Sequence, residues 1–460
     1  MDMQQRSQQA TMLLGLYVDN GGVIRTKAFP AHLLEERLQT GIGWTVAQQA
    51  LTPFDIPVAL PELGAVGEFR QQLDPQTLCL IPAFKGMACL MSDLLDLEGQ
   101  PWAACPRSFL KRMLRRFQEQ GLSVRLGMEH EFLLLRQRPD GPALPADESL
   151  LGSPVGLYAH ADFLDEVLSD LQSQGLEPSL VFAEYGPGQI EIATEPQEAL
   201  RAADHICQFR ELVRARAQLH QLVASFAPKP FPAWHAGGNG AHIHISLWHQ
   251  QVELPGSNAF YDPAEAGMLS QLGRSFIGGV LAHLDGLLAL TCASVNSYHR
   301  LQPQSWSSAY SIWGFDNREG AIRVPSLFWG KESASMNIEL RCSDHSANPY
   351  LAVGGVLAAG LDGIERHLDP GDAVQCDPAA YSEEERLQRR IRRLPLSLDA
   401  ALCALEQDAV LCEALGDLLT TSYLAVKREE SRYCRELASS VQGTEADKDA
   451  AIAQAYLTKF

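Results

Sequence analysis

The sequence predicts an α+β protein with a small N-terminal domain and a larger second domain. Strand-like runs broken by Pro and Gly fill residues 12–105. From Pro106 onward, longer helices alternate with strands that carry acidic residues. The chain has 460 residues, which is enough for two or three domains. We therefore expect a disordered Gln-rich tail at 1–11, one domain at 12–105 and a second at 106–460.

The predicted elements alternate along the chain as this fold class requires. In the first domain, strands are expected at 12–20, 77–84 and 86–96, with a short helix at 32–39. In the second domain, helices are expected at 107–120, 163–174, 196–225, 273–291, 348–367 and 397–427. Strands are expected there at 121–135, 179–184, 189–194, 241–248, 321–325 and 337–342.

Composition narrows the kinds of partner. The net charge of −19 argues against nucleic acid or an anionic membrane as the main partner. No apolar run approaches the length of a membrane span, and the N-terminus has no apolar signal region. The ten cysteines are scattered without a CxxC pair. We expect buried thiols in a cytoplasmic protein, with neither a disulfide framework nor a zinc site.

Two acidic residues interrupt the apolar strand predicted at 121–135. Glu129 and Glu131 are two residues apart, so both carboxylates lie on one face of the strand. Two like charges in an apolar strand are unfavourable unless a positive partner meets them. A divalent metal ion would be such a partner. Alternatively, the strand lies at a sheet edge with both acids in water.

The same anomaly recurs in three other strand-like segments of the second domain. A lone histidine in an apolar strand is usually a satisfied core residue. Four such segments together indicate the open end of a curved sheet lined by acids and imidazoles. Several carboxylates with one imidazole suit Mg²⁺ or Mn²⁺ better than zinc. The further candidates are Glu184, Glu191, His242, His244 and Glu339, with Arg341 beside Glu339.

Arginines form a second cluster in the sequence. Arg300, Arg318, Arg323 and Arg341 lie within 42 residues, next to strands and turns. Arginine in such places commonly binds carboxylate or phosphate, although surface salt bridges would also explain each one singly. Metal ligands with an arginine cluster and no Walker loop suggest phosphoryl transfer to an anionic acceptor. A two-metal hydrolase is the alternative that the Glu and His residues alone would allow.

An ordered set of motifs resembles the glutamine synthetase superfamily. The motifs span most of the chain and follow the family's order and spacing. They are GMEHEFLLL at 127–135, EYGPGQIEI at 184–192, APKP at 227–230, GGNGAHIHISL at 237–247, VNSYHRL at 295–301, DNREGAIRVP at 316–325, IELR at 338–341 and ANPYLAVGGVLAAGLDGI at 347–364.

The resemblance implies a glutamine synthetase fold. A small N-terminal β-grasp-like domain precedes a large catalytic domain, whose curved antiparallel sheet is lined by Glu, His and Arg. It also implies a ring-shaped homo-oligomer, a dodecamer, with active sites between neighbouring subunits. ATP and two or more Mg²⁺ or Mn²⁺ ions are expected at each site. In this family ATP phosphorylates the γ-carboxylate of glutamate, and an amine then attacks the acyl phosphate.

Matching each motif residue by residue assigns expected roles. One metal would be held by Glu131, Glu184 and Glu191, and the other by Glu129, His242 and Glu339. Arg300 matches the residue that holds the glutamate α-carboxylate. Arg341 matches the arginine that stabilises the transferred phosphoryl group. The nucleotide side is matched by His244, Ser246, Arg318 and Arg323, of which Arg318 is also expected to be catalytic.

The sequence departs from glutamine synthetases where the amine should bind. The family has a flap glutamate after the NSYxRL element, but Trp306 stands there in this chain. An Asp-Gly-Ser-Ser stretch in the N-terminal domain is also missing. Without these acids, NH₄⁺ would be costly to desolvate, whereas an indole favours an alkyl or aromatic amine. Alternatively, Trp306 only anchors the loop, and Glu62 or Glu68 supplies the acid.

Two smaller departures concern the glutamate and nucleotide sites. In the loop before His242, Gly237 replaces an asparagine that contacts glutamate in the family, next to Gly238, so both are candidate substrate-binding positions. The segment before Glu339 is about three residues longer than usual, so the resemblance does not place the family's nucleotide-binding lysine, for which Lys331 is one candidate. We therefore expect a ligase of the γ-glutamylpolyamine or γ-glutamylmonoamine synthetase type. Authentic glutamine synthetase and an inactive homologue with a regulatory or structural role are the alternatives.

Overall fold

The N-terminal part of the chain forms the first of the two β-sheets found in the described residues. The computed structural model describes residues 9–138, 141–234, 238–250 and 256–460. Within these residues, the first sheet has the strand order β2-β1-β6-β4-β3, with β5 beside β6. Only β1 and β6 run parallel among its described pairs. The strands are β1 (Met12–Val18), β2 (Ile24–Pro30), β3 (Ile42–Thr45), β4 (Glu68–Leu73), β5 (Cys79–Leu80) and β6 (Met87–Leu95), and helix α1 is Leu34–Thr40.

The N-terminal elements differ in part from those expected. The predicted strand 77–84 shortens to the two residues of β5, because the chain turns before Met87, with Phe84 N bonded to Ile81 O. Strands β2, β3 and β4 were not predicted, because they contain too many polar or small residues to show a clear alternation of apolar and polar side chains. Of the tail expected at 1–11, residues 1–8 lie outside the described residues. The expectation of disorder is wrong for residues 10 and 11, since Ala10 is buried and Thr11 N bonds to Gly86 O. The boundary between residues 105 and 106 remains a prediction.

The second sheet carries the predicted acidic strands. Its order in the described residues is β16-β13-β14-β15-β12-β7-β10-β9, with β8 and β11 beside β7. Its described pairs are antiparallel, as expected, except that β13 and β14 run parallel, so the sheet is mixed at one edge. The strands are β7 (Leu122–Arg138), β8 (Gly141–Pro145), β9 (Pro178–Ala183), β10 (Gln189–Glu198), β11 (Val223–Ser225), β12 (Ala241–His249), β13 (Tyr310–Phe315), β14 (Gly320–Val324), β15 (Ile338–Leu340) and β16 (Arg392–Arg393).

Helices cover one face of this sheet and form the main core. The helix Pro349–Glu365 is largely buried and packs against the helices Pro106–Glu119, Gln271–Ala282 and Leu284–Thr291. The helices are α2 (Pro106–Glu119), α3 (Pro154–Ala159), α4 (Ala161–Gln174), α5 (Ala199–Leu219), α6 (Gln271–Ala282), α7 (Leu284–Thr291), α8 (Ser297–Arg300), α9 (Glu332–Ser335), α10 (Pro349–Glu365), α11 (Glu383–Gln388), α12 (Leu398–Gln407), α13 (Ala409–Leu415), α14 (Asp417–Ser440) and α15 (Glu445–Tyr456).

Three long helices expected from the sequence are shorter in the structure. The region 196–225 begins in β10 and ends in β11, and Gln221 has a left-handed φ of 58° after α5. The region 273–291 breaks at His283, whose ring bonds to Asp362 and Asp408. The region 397–427 breaks where Asp408 caps α13 and where Gly416 has φ 85°. In this third region, a side-chain cap and a glycine set helix ends that periodicity alone did not show.

Strand β7 divides the domain into a core face and an open face. Met128, His130 and Phe132 point to the core, where the His130 ring stacks on Phe209 of α5 at 4.0 Å. Glu129 and Glu131 point the other way, as the alternation predicted. No single described helix has the length and hydropathy of a membrane span. The pair α13 and α14, bent by 108° at the break between them, reaches that length and composition only when the two helices are taken together.

Candidate active site

A polar cleft opens on the acidic face of the second sheet. Strands β7, β10 and β12 supply its floor, and the connections around Trp306 and Arg318 supply its far side. The cleft brings together most of the residues expected from the sequence. Its lining residues are Glu129, Glu131, Glu184, Tyr185, Gln189, Glu191, Lys229, Gly238, His242, Arg300, Ser305, Trp306, Ser307, Arg318 and Arg341.

Strand register places the acids and histidines side by side. Glu131 lies directly opposite Glu191, and Glu129 lies directly opposite His242. Glu339 of β15 is the partner of both His244 and Arg323. Like charges directly opposite one another destabilise a sheet unless a cation compensates them. The register therefore concentrates negative charge on one patch of the floor.

Glu129, His242 and Glu339 form a compact group that could hold a metal ion. One ligand atom from each lies within 4.8 Å of the others. His242 Nδ1 is 2.8 Å from Glu129 Oε2 and 3.6 Å from Glu339 Oε1. Burial and the nearby Arg341 lower the pKa of His242 to about 4, so the imidazole is neutral, as a metal ligand must be. These are the three residues expected to hold one of the two metals.

Glu131, Glu184 and Glu191 line the same cleft with too little positive charge around them. Burial and the neighbouring Glu184 raise the pKa of Glu131 to about 8. Burial and the surrounding glutamates raise the pKa of Glu191 to about 10. Ionising these carboxyls at neutral pH therefore requires a further cation. The donor set of carboxylates fits a hard divalent ion such as Mg²⁺ or Mn²⁺.

Two short-range contacts hold the Glu131 carboxylate in place. Gly240 N donates to its Oε2 at 2.8 Å, and Gln189 Nε2 donates to the same oxygen at 3.1 Å. A Cβ at residue 240 would lie 2.5 Å from His242 Nε2, so any residue other than glycine there would displace the imidazole. A Cβ on Gly238 would lie 2.8 Å from Arg300 Cγ. Gly238 and Gly240 thus allow the loop backbone to lie close to Arg300 and His242. Gly237 lies outside the described residues.

Two of the four clustered arginines are buried at the cleft, so for them surface salt bridges are excluded. Arg341 binds Glu339 and donates through Nη2 to Trp306 O at 3.0 Å. Arg300 donates to Ser343 O at 2.8 Å. Arg318 is more exposed and lines the cleft. Fixed guanidinium groups surrounding an anionic cleft suit the binding of carboxylate and phosphoryl oxygens.

Of the four residues expected on the nucleotide side, only Arg318 lines the cleft, whereas His244, Ser246 and Arg323 lie outside its lining. Arg323 is paired with Glu339 at 2.6 Å. His244 Nε2 lies 3.1 Å from Glu129 Oε1, and its Nδ1 lies 2.9 Å from Asn337 Oδ1. Ser246 is buried and accepts a hydrogen bond from Trp248. Lys331 is exposed in the connection between β14 and β15.

Trp306 lies at the mouth of the cleft. The side chain is 56% exposed and its ring lies 6.0 Å from that of Tyr185, with 24° between the planes. Its backbone N–H donates to Glu319 Oε1 at 2.9 Å. Glu62 and Glu68 are exposed in the N-terminal part, and the cleft lining within this chain does not include them.

Sequence reasoning missed several residues of the cleft. Lys229 is buried, and burial together with Arg300 lowers its pKa to about 8. It lies in the APKP motif, which the sequence analysis matched to the family without assigning a role to the lysine. Tyr185 and Gln189 belong to a motif from which only the glutamates were chosen. Ser305 and Ser307 flank Trp306 and had no signal of their own.

The chain is similar to known proteins over most of its length. The profile of the glutamine synthetase catalytic domain matches residues 103–445, and that of the glutamine synthetase N-terminal domain matches residues 3–102. A glutamine synthetase of Halobacterium salinarum is 35% identical over 452 residues, covering 96% of this chain and 93% of the relative. A gamma-glutamylpolyamine synthetase, GlnA3, of Streptomyces coelicolor is 32% identical, covering 96% and 92%. A solved GmaS/ADP complex superposes with a TM-score of 0.81 at 32% identity, covering 96% of both chains.

Proposed function

This chain belongs to the glutamine synthetase family of ATP-dependent ligases, and from that premise we propose that it joins the γ-carboxylate of glutamate to an amine larger than ammonia. The observation that carries the proposal is Trp306 at the mouth of the cleft, where an acid would be needed for ammonium. The similarity to a gamma-glutamylpolyamine synthetase and to GmaS supports the same class of acceptor.

The proposed reaction has two steps. The γ-phosphoryl group of ATP moves to the γ-carboxylate of glutamate and ADP leaves. The amine nitrogen then attacks the carbonyl carbon, the C–O bond to phosphate breaks, and the nitrogen loses a proton as the amide forms. Arg341 and Arg318 would stabilise negative charge on the transferred phosphoryl group. Arg300 and Gly238 would position the glutamate.

Divalent metal ions would occupy the acidic floor of the cleft. Glu129, His242 and Glu339 would hold one, and the other would be held by Glu131, Glu184 and Glu191. When bound, Mg²⁺ or Mn²⁺ supplies Lewis-acid polarisation of phosphoryl oxygens and neutralises their charge. His244, Ser246 and Arg323 would lie on the nucleotide side, behind the first group.

The amine would enter past Trp306 and Tyr185. Both rings are about half exposed and present apolar faces to the cleft mouth. Such a surface favours the alkyl or aromatic part of an amine, and its ammonium form by cation–π attraction. NH₄⁺ offers no carbon surface, so it would lose hydration without an apolar contact in return.

The test is phosphate release from ATP with glutamate and Mg²⁺, comparing ammonium with methylamine, ethanolamine, putrescine, spermidine, benzylamine and phenethylamine. We expect strong turnover with one class of amine and little with ammonium. Strong turnover with ammonium would restore the second candidate, glutamine synthetase, which the similarity to relatives of that name favours. ATP binding without turnover on any amine would point to an inactive homologue.

The assembly and cellular setting are part of the proposal. Family membership supports a ring-shaped homo-oligomer, a dodecamer, in which a neighbouring subunit completes each cleft. All ten cysteines are free, which suits the reducing cytoplasm.

A further inference from the structure

We propose that Glu319 is a positioning residue that sets the amine selectivity of the cleft through Trp306. The inference rests on the proposed function, because it takes Trp306 to form the amine side. Glu319 follows Arg318 in the connection between β13 and β14 and is 6% exposed. Its side chain is not part of the cleft lining, so it acts through the segment that it binds.

The segment that carries Trp306 has an unusual backbone. Gln304, Trp306 and Ser308 have φ values of 58°, 55° and 67°. This left-handed region is uncommon for residues other than glycine, and a bulky side chain makes it rarer. Three such residues at alternate positions persist only when contacts from outside the segment hold them.

Glu319 supplies two of those contacts with one carboxylate. Its Oε1 accepts from Trp306 N at 2.9 Å, and its Oε2 accepts from Gln304 N at 3.2 Å. The turn holds Glu319 in place, since Asn317 Oδ1 accepts from Glu319 N at 3.0 Å. Ser308 Oγ adds a third tie by donating to Gly320 O at 2.8 Å.

The Trp306 residue is also held at its carbonyl. Arg341 Nη2 donates to Trp306 O at 3.0 Å, and Arg341 Nε donates to Arg318 O at 3.2 Å. Trp306 is therefore fixed between the arginine of the phosphoryl side and the carboxylate of Glu319. Losing either partner would let the indole move away from Tyr185.

The position of the indole determines how well the cleft mouth can hold a large amine. With both carboxylate oxygens engaged, the indole stays against Tyr185 and forms a wall for the carbon chain of the amine. A glutamine at 319 has only one acceptor oxygen, so one of the two N–H groups would lose its partner. The indole would then be less well ordered, which penalises a large amine more than ammonium.

The experiment compares Glu319→Gln with the unchanged enzyme, measuring kcat and KM separately for the preferred amine, ammonium and glutamate. We expect the amine KM to rise about tenfold and the preference over ammonium to fall by a similar factor. The glutamate KM should change less than about twofold, because Arg300 is not touched. Glu319→Asp keeps the charge and serves as a second variant in case Glu319→Gln fails to fold. It should change the amine KM and the preference over ammonium in the same directions, but by smaller factors.

Two comparisons separate positioning from general stability. Glu332→Gln is the matched control, because this carboxylate also accepts a backbone N–H, that of Gly330 at 2.9 Å, but away from the cleft. It should leave all constants unchanged. In a Trp306→Ala background, Glu319→Gln should cause no further loss of amine preference, since the residue through which it acts is gone.

Several results would overturn the inference. Equal losses for every substrate, with a lower melting temperature, would give Glu319 only a structural role. If the losses of amine preference caused by Trp306→Ala and Glu319→Gln multiply in the double mutant, that result would also contradict the inference. If the unchanged enzyme prefers an amine and Glu319→Gln keeps that preference, this inference alone fails. If the unchanged enzyme prefers ammonium, the proposed function fails and this inference fails with it.

Discussion

The acidic floor of the cleft and the connection that carries Trp306 are built in opposite ways. On the floor, regular strands place each side chain, and register alone brings Glu129 opposite His242 and Glu131 opposite Glu191. In the connection 301–309, left-handed residues and side-chain contacts to the backbone place the indole. The comparison teaches that the proposed phosphoryl side rests on the regular strands, whereas the proposed amine side rests on a few local contacts. The two should therefore respond separately to substitution.

The largest expected effect comes from removing one acid of the floor. Glu191→Gln should lower turnover about 1000-fold, because a metal ligand worth several kcal/mol is lost. The same change should stabilise the metal-free protein by about 1–3 kcal/mol, because an uncompensated buried carboxyl is removed. Burial and the neighbouring glutamates raise the pKa of Glu191, which is the origin of that cost. Activity assays and thermal melts in EDTA measure the two effects.

The matched control for that change is Glu195→Gln, an exposed acid on the same strand. It should alter neither property. Unchanged activity in Glu191→Gln, or activity of the native enzyme that persists in EDTA, would refute the metal assignment.

The next effect concerns the amine side alone. Trp306→Glu should move the preference toward ammonium by about 100-fold, because an apolar wall becomes a carboxylate. The Mg²⁺ concentration for half activity should stay the same, since no floor residue changes. The ratio of kcat/KM for the preferred amine and ammonium measures the shift. A simultaneous change in the Mg²⁺ requirement would show that the two regions are not independent.

A smaller effect should appear on the metal side alone. Gly240→Ala would place a Cβ 2.5 Å from His242 Nε2 and 3.1 Å from Glu131 Oε1. Displacing those groups should raise the Mg²⁺ requirement about 10- to 100-fold and leave the amine preference unchanged. Gly64→Ala is a suitable control, since the nearest atom to its Cβ would be 3.6 Å away. A change in amine preference without any change in Mg²⁺ requirement would contradict the division.

The smallest expected effect concerns the acid stability of the protein and a buried histidine, His345, on the core side of the second sheet. Both ring nitrogens of His345 are buried without a hydrogen-bond partner, and burial lowers its pKa well below the usual 6.5. The folded protein holds this ring neutral, so its stability is full above about pH 6.5 and falls as the pH drops below that value. His345→Leu should remove that part of the acid sensitivity and raise the melting temperature at pH 5.5 by about 2 °C.

The exposed His32→Leu provides the comparison for that measurement. It should leave the acid profile unchanged. A His345→Leu protein that loses stability equally at pH 5.5 and pH 8 would show that the ring contributes packing alone.

The sequence predicted the floor better than the connection for a physical reason. Alternation in β7 and β12 is a two-residue rule, so Glu129, Glu131 and His242 could be assigned to one face directly. Tyr185 and Glu319 lie in turns whose conformations depend on distant partners, so no local pattern marked them. The helix breaks at His283 and Gly416 were missed because contacts and backbone geometry, rather than periodicity, end those helices. Gly237 stays a prediction, outside the described residues.

The central claim is that Trp306 makes this ligase prefer an amine larger than ammonia. A competition experiment tests it most directly: the enzyme receives glutamate, ATP and Mg²⁺ with equal concentrations of ammonium and the best amine of the panel. Mass spectrometry then measures the ratio of the γ-glutamyl amide to glutamine, which equals the ratio of the two kcat/KM values. We predict that the amide exceeds glutamine by at least about 100-fold and that Trp306→Glu removes the excess. Glutamine as the main product of the unchanged enzyme would contradict the account.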